Sequence, residues 1–94
     1  MKQYELVVVL PGGSTAAKKK AASETIEKLA KVNEGKVLEA EDWGDKELFF
    51  SMKKNTTGTF MVFQLELNPE GAKAIEPKLK LEDQFIRYLL VKKD

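Results

Sequence analysis

The stretch from Tyr4 to Leu10 reads Y-E-L-V-V-V-L and ends at Pro11-Gly12-Gly13. Its aliphatic residues follow one another without polar alternation. As a strand it would be apolar on both faces, with Leu6, Val8 and Leu10 on one side and Val7 and Val9 on the other. Such a strand belongs in the interior of a sheet, with neighbours along both edges. The chain has 94 residues, enough for one domain around one core. The rest of it must therefore supply the flanking strands and a layer to cover at least one face.

The remaining segments fit that demand. Pro11-Gly12-Gly13-Ser14 is a glycine-rich turn before a helix. It could cradle a phosphate against the helix N-terminus, but it lacks the G-x-G-x-x-G and G-x-x-x-x-G-K-[ST] spacings. The plainer reading is a tight turn ending in Ser14 or Thr15 as N-cap. Thr15 to Asn33 reads as helix, with Ala22, Ile26, Leu29 and Asn33 on one stripe, widened by Thr25 and Val32. Gly35 fits the left-handed position after the helix. Lys18-Lys19-Lys20 lies in the first turns, where the helix dipole disfavours cations. That conflict points either to an anionic neighbour or to a solvated lysine face.

Lys36 to Met52 is a long strand, or two joined by a kink at Gly44. Leu38, Ala40, Leu48, Phe50 and Met52 share the parity assigned to the covered face; Trp43 and Phe49 have the other. Asn55 to Gly58 carries turn chemistry, and Thr59 to Leu67 alternates as a strand. Asn68-Pro69-Glu70 opens a second helix with stripe residues Ala72, Ile75 and Leu79. Gly71 costs that helix about 1 kcal/mol of propensity. Pro77 should leave it short, kinked or ended near Glu76. Leu81 to Asp83 connects to a last strand, Gln84 to Lys92, apolar on both faces for most of its length.

The order is β-α-β-β-α-β over a single domain, residues 1–94, with no repeat and no linker. This is the α+β split βαβ arrangement, or ferredoxin-like fold. It implies a four-stranded antiparallel sheet of order 4-1-3-2. Right-handed crossovers place both helices on one face and leave the other open.

Composition narrows the chemistry. Cysteine and histidine are both absent. That removes disulfides, thiolates, most metal sites, every Ser-His or Cys-His pair, and the usual base near neutral pH. An enzyme is not expected, and neither is a cofactor. The net charge of +1 argues against a nonspecific polyanion binder, though not against a local basic patch. No apolar run is long enough for a membrane helix, and the N-terminus lacks the layout of a signal peptide, so a cytoplasmic protein without membrane association is expected.

By parity the open face holds Val7, Val9, Phe49, Phe60, Val62, Leu89 and Val91, with Trp43 near its edge. An uncovered apolar face of that extent marks an interaction surface. One reading is an RNA-recognition-motif-like binder of single-stranded RNA. Its third strand needs stacked aromatics after K/R-G, whereas Gly58-Thr59-Phe60-Met61-Val62-Phe63 lacks the aromatic directly after glycine. A second is a small-ligand or acyl-phosphate domain, which would want an arginine in a loop. Arg87 is the only arginine and lies in the last strand. A third is a structural protein that docks on another protein and on folded RNA, its aliphatic face serving the protein and its lysines meeting phosphates.

The hairpin W-G-x-K-x-L-x-F-x-M-x-K-x-x-x-G-x-F resembles that of the bacterial small-subunit ribosomal protein S6 family. So do the opening K-Q-Y-E-L-V-V-V-L, the approach E-D-W-G and the close L-K-L-E-D-Q-F-I-R-Y-L-L-V-K-K. The resemblance covers essentially the whole chain in register. It implies a non-catalytic ribosomal protein with the ferredoxin-like fold. Such a protein pairs with ribosomal protein S18 and binds the central domain of small-subunit ribosomal RNA during assembly. Trp43, Lys46, Lys54 and Arg87 stand at family motif positions. Lys46, Lys53, Lys54 and Arg87 are then the candidates for RNA phosphates, and Trp43, Phe49, Phe60 and Val62 for the protein partner. Without the resemblance, Lys46 and Lys54 would read as a solvated hairpin edge and Trp43 as a partly buried edge aromatic.

The chain also departs from the pattern. Glu47 stands where relatives commonly carry a second basic residue, Phe49-Phe50 where they often have Ala-Tyr, and Ser51 where they have Pro. Glu47 would repel a nearby phosphate and weaken or shift RNA contact along this edge. Many relatives continue into a charged tail. This sequence stops at Asp94, so contacts made by such a tail are expected to be missing.

Overall fold

The structure, a computed structural model, describes residues 2–52 and 55–93, with segments 47–52 and 55–56 described by their backbone alone. The elements are β1 (Lys2–Pro11), α1 (Ala16–Val32), β2 (Lys36–Met52), β3 (Asn55–Leu67), α2 (Pro69–Leu81) and β4 (Arg87–Lys93). They form a four-stranded sheet of order β2-β3-β1-β4, which is the expected 4-1-3-2 read from its other edge. Every adjacent pair is antiparallel.

The doubly apolar first strand lies inside the sheet as its composition requires, with β3 on one side and β4 on the other. Leu6, Val8 and Leu10 meet Met61, Phe63, Leu65 and Leu67 of β3 beneath Ala22, Ile26 and Ala30 of α1 and Ala72, Ile75 and Leu79 of α2. All the β1 and β3 members of this cluster share one parity, so both helices cover the same face and the opposite face lacks a helix.

Helix α1 starts as its sequence suggests: Thr15 is the N-cap, and its hydroxyl accepts from the Lys18 amide at 3.2 Å. Its end differs from expectation. Glu34, not Gly35, takes the left-handed position, with φ of 61°. The Glu34 amide donates to Lys31 O at 3.1 Å and the Gly35 amide to Ala30 O at 2.7 Å. This is the two-bond helix stop in which the glycine stands one place late. Gly35 answers a different need: a Cβ there would lie 2.4 Å from both the Glu66 carbonyl oxygen and Leu67 Cδ2. Val32, expected in the buried stripe, is 72% exposed.

Helix α2 does not end near Glu76. It runs through Pro77 to Leu81, capped in position by Asn68 with Pro69 following it. Pro77 offers no amide to the Lys73 carbonyl, but both residues are exposed, so water can serve that oxygen. Buried Ile75 and Leu79 hold the turns on either side of the proline. Gly71 is buried where α2 meets the end of α1; an added Cβ would lie 3.2 Å from Asn33 O, so its propensity cost permits a close approach.

The last strand starts later than expected, at Arg87. Phe85 is instead a core residue in the preceding connection. Gln84 there donates to Thr25 Oγ1 and Glu82 Oε1, each at 3.0 Å. In β4, Tyr88 and Leu90 pack against the core while Leu89 and Val91 point to the open side and are exposed.

Strand β2 is one long, irregular edge strand. Its register against β3 shifts between Val37 and Glu39, again between Asp42 and Gly44, and a third time between Glu47 and Met52. The first shift overturns the parity assigned to Leu38: Val37 packs on the core and Leu38 is exposed. The second is the kink at Gly44, where φ is 76° and Asp42 Oδ1 accepts the Gly44 amide at 2.8 Å. Ala40 keeps the inward parity through its partner Phe63, yet lies at the rim and is exposed. Asn55 to Gly58, read as a turn, belongs to β3, which pairs with β2 from Met52↔Asn55 onward. The two threonines suit a strand. The side chains of Leu48, Phe50 and Met52 fall outside the described residues.

Candidate interaction surfaces

The pairing registers lay out the open face row by row. Glu41, Val62, Val7 and Leu89 form one row across the sheet; Gly44, Phe60, Val9 and Arg87 form the next. Toward the far end, Glu39, Gln64, Glu5 and Val91 form another. The centre is therefore apolar and one end polar. Gln64 Nε2 donates to Glu5 Oε1 at 3.0 Å, and Lys93 Nζ donates to Gln64 Oε1 at 3.1 Å.

The candidate partner residues differ in what they present. Val62 is only 1% exposed and forms the floor of the face rather than contact surface. Phe60 is half-buried beside it. Trp43 is 50% exposed. Its Nε1 donates to Glu41 Oε2 at 2.8 Å, which ties the indole to the open side of the bulged edge. Leu89, at 59%, is exposed to a larger fraction than Trp43, Phe60 or Val62. Parity placed it on this face; its exposure follows from lying on an edge strand. The side chain of Phe49 lies outside the described residues.

The basic candidates converge in part. Lys46 is exposed and pairs with Gly58, one rung beyond the row that holds Arg87. Both stand at the same end of the open face on opposite edges, about 16 Å apart by strand spacing and rise. Lys53 and Lys54 lie outside the described residues.

Both readings of the lysines in the first helical turns have a place. Lys19 Nζ lies 2.9 Å from Asp42 Oδ2, an anionic neighbour supplied by β2, while Lys18 and Lys20 are exposed. That hydrogen bond, followed by the Gly44 amide, holds the Asp42 carboxyl below the usual value. Asp45 is not among the residues singled out from sequence, where it falls within the long strand beside the kink at Gly44. Its Oδ1 accepts the hydroxyl of Thr59 and, at 3.3 Å, the amide of Gly13. These two donors, Thr59 first, depress the Asp45 carboxyl. The glycine-rich turn thus already spends the Gly13 amide on a carboxylate of the same chain, which weakens the phosphate-cradle reading. Among the described residues no group of three or more acidic side chains is arranged to hold a metal ion. Nor, among the described residues, is any helix long and apolar enough to cross a membrane.

A family model described as ribosomal protein S6 matches residues 3–92. The chain is similar to small ribosomal subunit protein bS6 of Gluconobacter oxydans, 31% identical over the whole chain, of which it spans 59%. It is 29% identical to the protein of that name from Pelagibacter ubique over 98% of the chain and 76% of the relative. With that of Moorella thermoacetica it shares 28% identity over 98% of the chain and 94% of the relative. Among solved structures it resembles 30S ribosomal protein S6 from Thermotoga maritima with a TM-score of 0.87, 16% identity, and 98% and 87% coverage of the two chains. It also resembles the C-terminal domain of the MgtC protein from Mycobacterium tuberculosis with a TM-score of 0.63 and 9% identity, a likeness of fold alone.

Proposed function

Because the chain belongs to the ribosomal protein S6 family and is a structural, non-catalytic component of the small subunit of the cytoplasmic ribosome, we propose that it binds central-domain small-subunit ribosomal RNA jointly with ribosomal protein S18. The observation that supports this division of labour is the zoning of the open face. Trp43, Phe60 and Leu89 offer an apolar surface suited to a protein. Lys46 and Arg87 flank it at one end, where phosphate could be met. Only one of the open-face residues of β1 and β3 is aromatic, Phe60, so a stacking platform for unpaired bases finds little support.

With a net charge of +1 the protein alone should hold RNA weakly. Binding should be tight only when the partner is present, and binding by the protein alone should be salt-sensitive, with a log-log slope of about 0.7 to 0.9 per phosphate contact. A gel shift with a central-domain RNA fragment, with and without S18, tests this. Lys46→Glu should weaken the ternary complex while leaving the unfolding midpoint in place. An unchanged ternary complex would remove Lys46 from the interface. Tight binding of this protein alone to short single-stranded RNA would overturn the joint-binding reading.

A further inference from the structure

The hairpin outruns the rest of the sheet. Pairing of β1 with β3 stops at Pro11↔Gly58, and pairing of β1 with β4 at Val9↔Arg87, yet β2 and β3 pair again at Glu47↔Thr57 and, past an irregularity in β2, at Met52↔Asn55. Beyond Gly58 the hairpin therefore has no third strand, and residues 55–57 of β3 carry a free arm about 10 Å long. Lys46 stands at its root. A two-stranded ribbon without a third strand twists and bends easily. Something other than the sheet must set where this one points.

Three contacts at the root come from the glycine-rich turn between β1 and α1. Gly12 lies directly under Thr57, where an added Cβ would come within 2.1 Å of Oγ1 and 3.1 Å of the backbone oxygen. The Gly13 amide, at φ of 75°, donates to Asp45 Oδ1 at 3.3 Å. Thr59, fully buried, donates its hydroxyl to the same carboxylate oxygen, with Pro11 O a second acceptor at 3.3 Å. The turn is itself closed by Ser14 Oγ, which donates to Pro11 O at 2.6 Å.

We propose that the Pro11–Ser14 turn is a socket for the hairpin arm, and that Asp45 is the positioning residue through which this socket aims the arm and Lys46 at RNA. The part concerning RNA rests on the function proposed above; the socket itself does not. One carboxylate oxygen joins the turn, the buried Thr59 and the strand that carries Lys46. The acceptor, rather than the charge, does the positioning.

The variants Asp45→Ala, Asp45→Asn and Gly12→Ala separate these statements. Residual dipolar couplings of backbone amides 46–52 and 55–58 report the arm's direction relative to β1 and α2. Asp45→Ala should change the arm couplings and leave those of β1 and α2 in place. It should also weaken the ternary complex at least about fivefold. Asp45→Asn retains an oxygen in the same place and should restore both readouts. Gly12→Ala should displace the arm from the other side of the contact with Asp45 untouched, which covers the case of an Asp45→Ala protein that fails to fold. Unchanged arm couplings in both Asp45→Ala and Gly12→Ala would overturn the socket, and an Asn variant as defective as Ala would overturn the positioning role. Shifted couplings with an unchanged ternary complex would remove the arm from RNA contact and leave the socket standing. Failure of the wild-type protein to form the ternary complex would overturn the joint-binding reading alone.

Discussion

At the scale of single residues, the end of α1 shows how a local rule and a tertiary demand change places. Helix stops favour glycine in the left-handed position, and the sequence offers Gly35 close to it. The structure assigns that backbone to Glu34 and spends the glycine one residue later, because β3 approaches too closely for any side chain there. The signal was visible as a glycine, but the reason for it lies in a strand more than thirty residues away. Glu34→Gly should therefore relieve left-handed strain and stabilise the domain by about 0.5–1 kcal/mol, less than the full relief because glycine also loosens the unfolded chain. A higher urea midpoint with an unchanged slope would show it. Asp45 was less legible than Glu34. Its partners, Gly13 and Thr59, come from other elements, and no spacing within its own segment announces them.

Elements were easier to read than their edges. The order, the sheet topology and the central place of β1 follow from hydrophobic patterning, since a doubly apolar strand normally sits inside a sheet; β4, read as apolar on both faces too, lies instead at an edge. The core stripes of Ala22 and Ile26, and of Ala72, Ile75 and Leu79, were legible for the same reason. Boundaries failed where packing overrode local chemistry. Asn55 to Gly58 became strand because the hairpin pairs further out than its turn-forming residues suggest. The parity of Leu38 failed at a register shift, which a strict period of two cannot anticipate. Helix α2 continued through Pro77 because its buried stripe does. Pro77→Ala would give the exposed Lys73 carbonyl an amide partner, and it should stabilise the domain by about 1–3 kcal/mol. No gain in thermal midpoint would mean that the helix bends usefully at the proline.

Across the whole molecule, two of the candidate basic side chains mark one end of the open face, a belt of Glu5, Gln64 and Lys93 marks the other, and apolar residues lie between. Leu89 is the clearest probe of that centre. It is exposed in the isolated chain, so Leu89→Glu should leave the unfolding midpoint nearly unchanged. The same change should abolish calorimetrically measured association with S18, because a carboxylate would be desolvated in an apolar contact; retained affinity would move the partner off this face. The sheet order also has a consequence for synthesis. Within this sheet the first strand is paired, on one side, with the strand farthest from it in sequence: Gln3 stands opposite Lys93. Until β4 has been made, the V-V-V run of the nascent chain has an unpaired edge, the kind of segment that templates wrong pairings. Lysines at the close of β4 give that strand a charged margin. A sheet of this topology cannot complete its core one piece at a time from β1 onward; it must wait for β4.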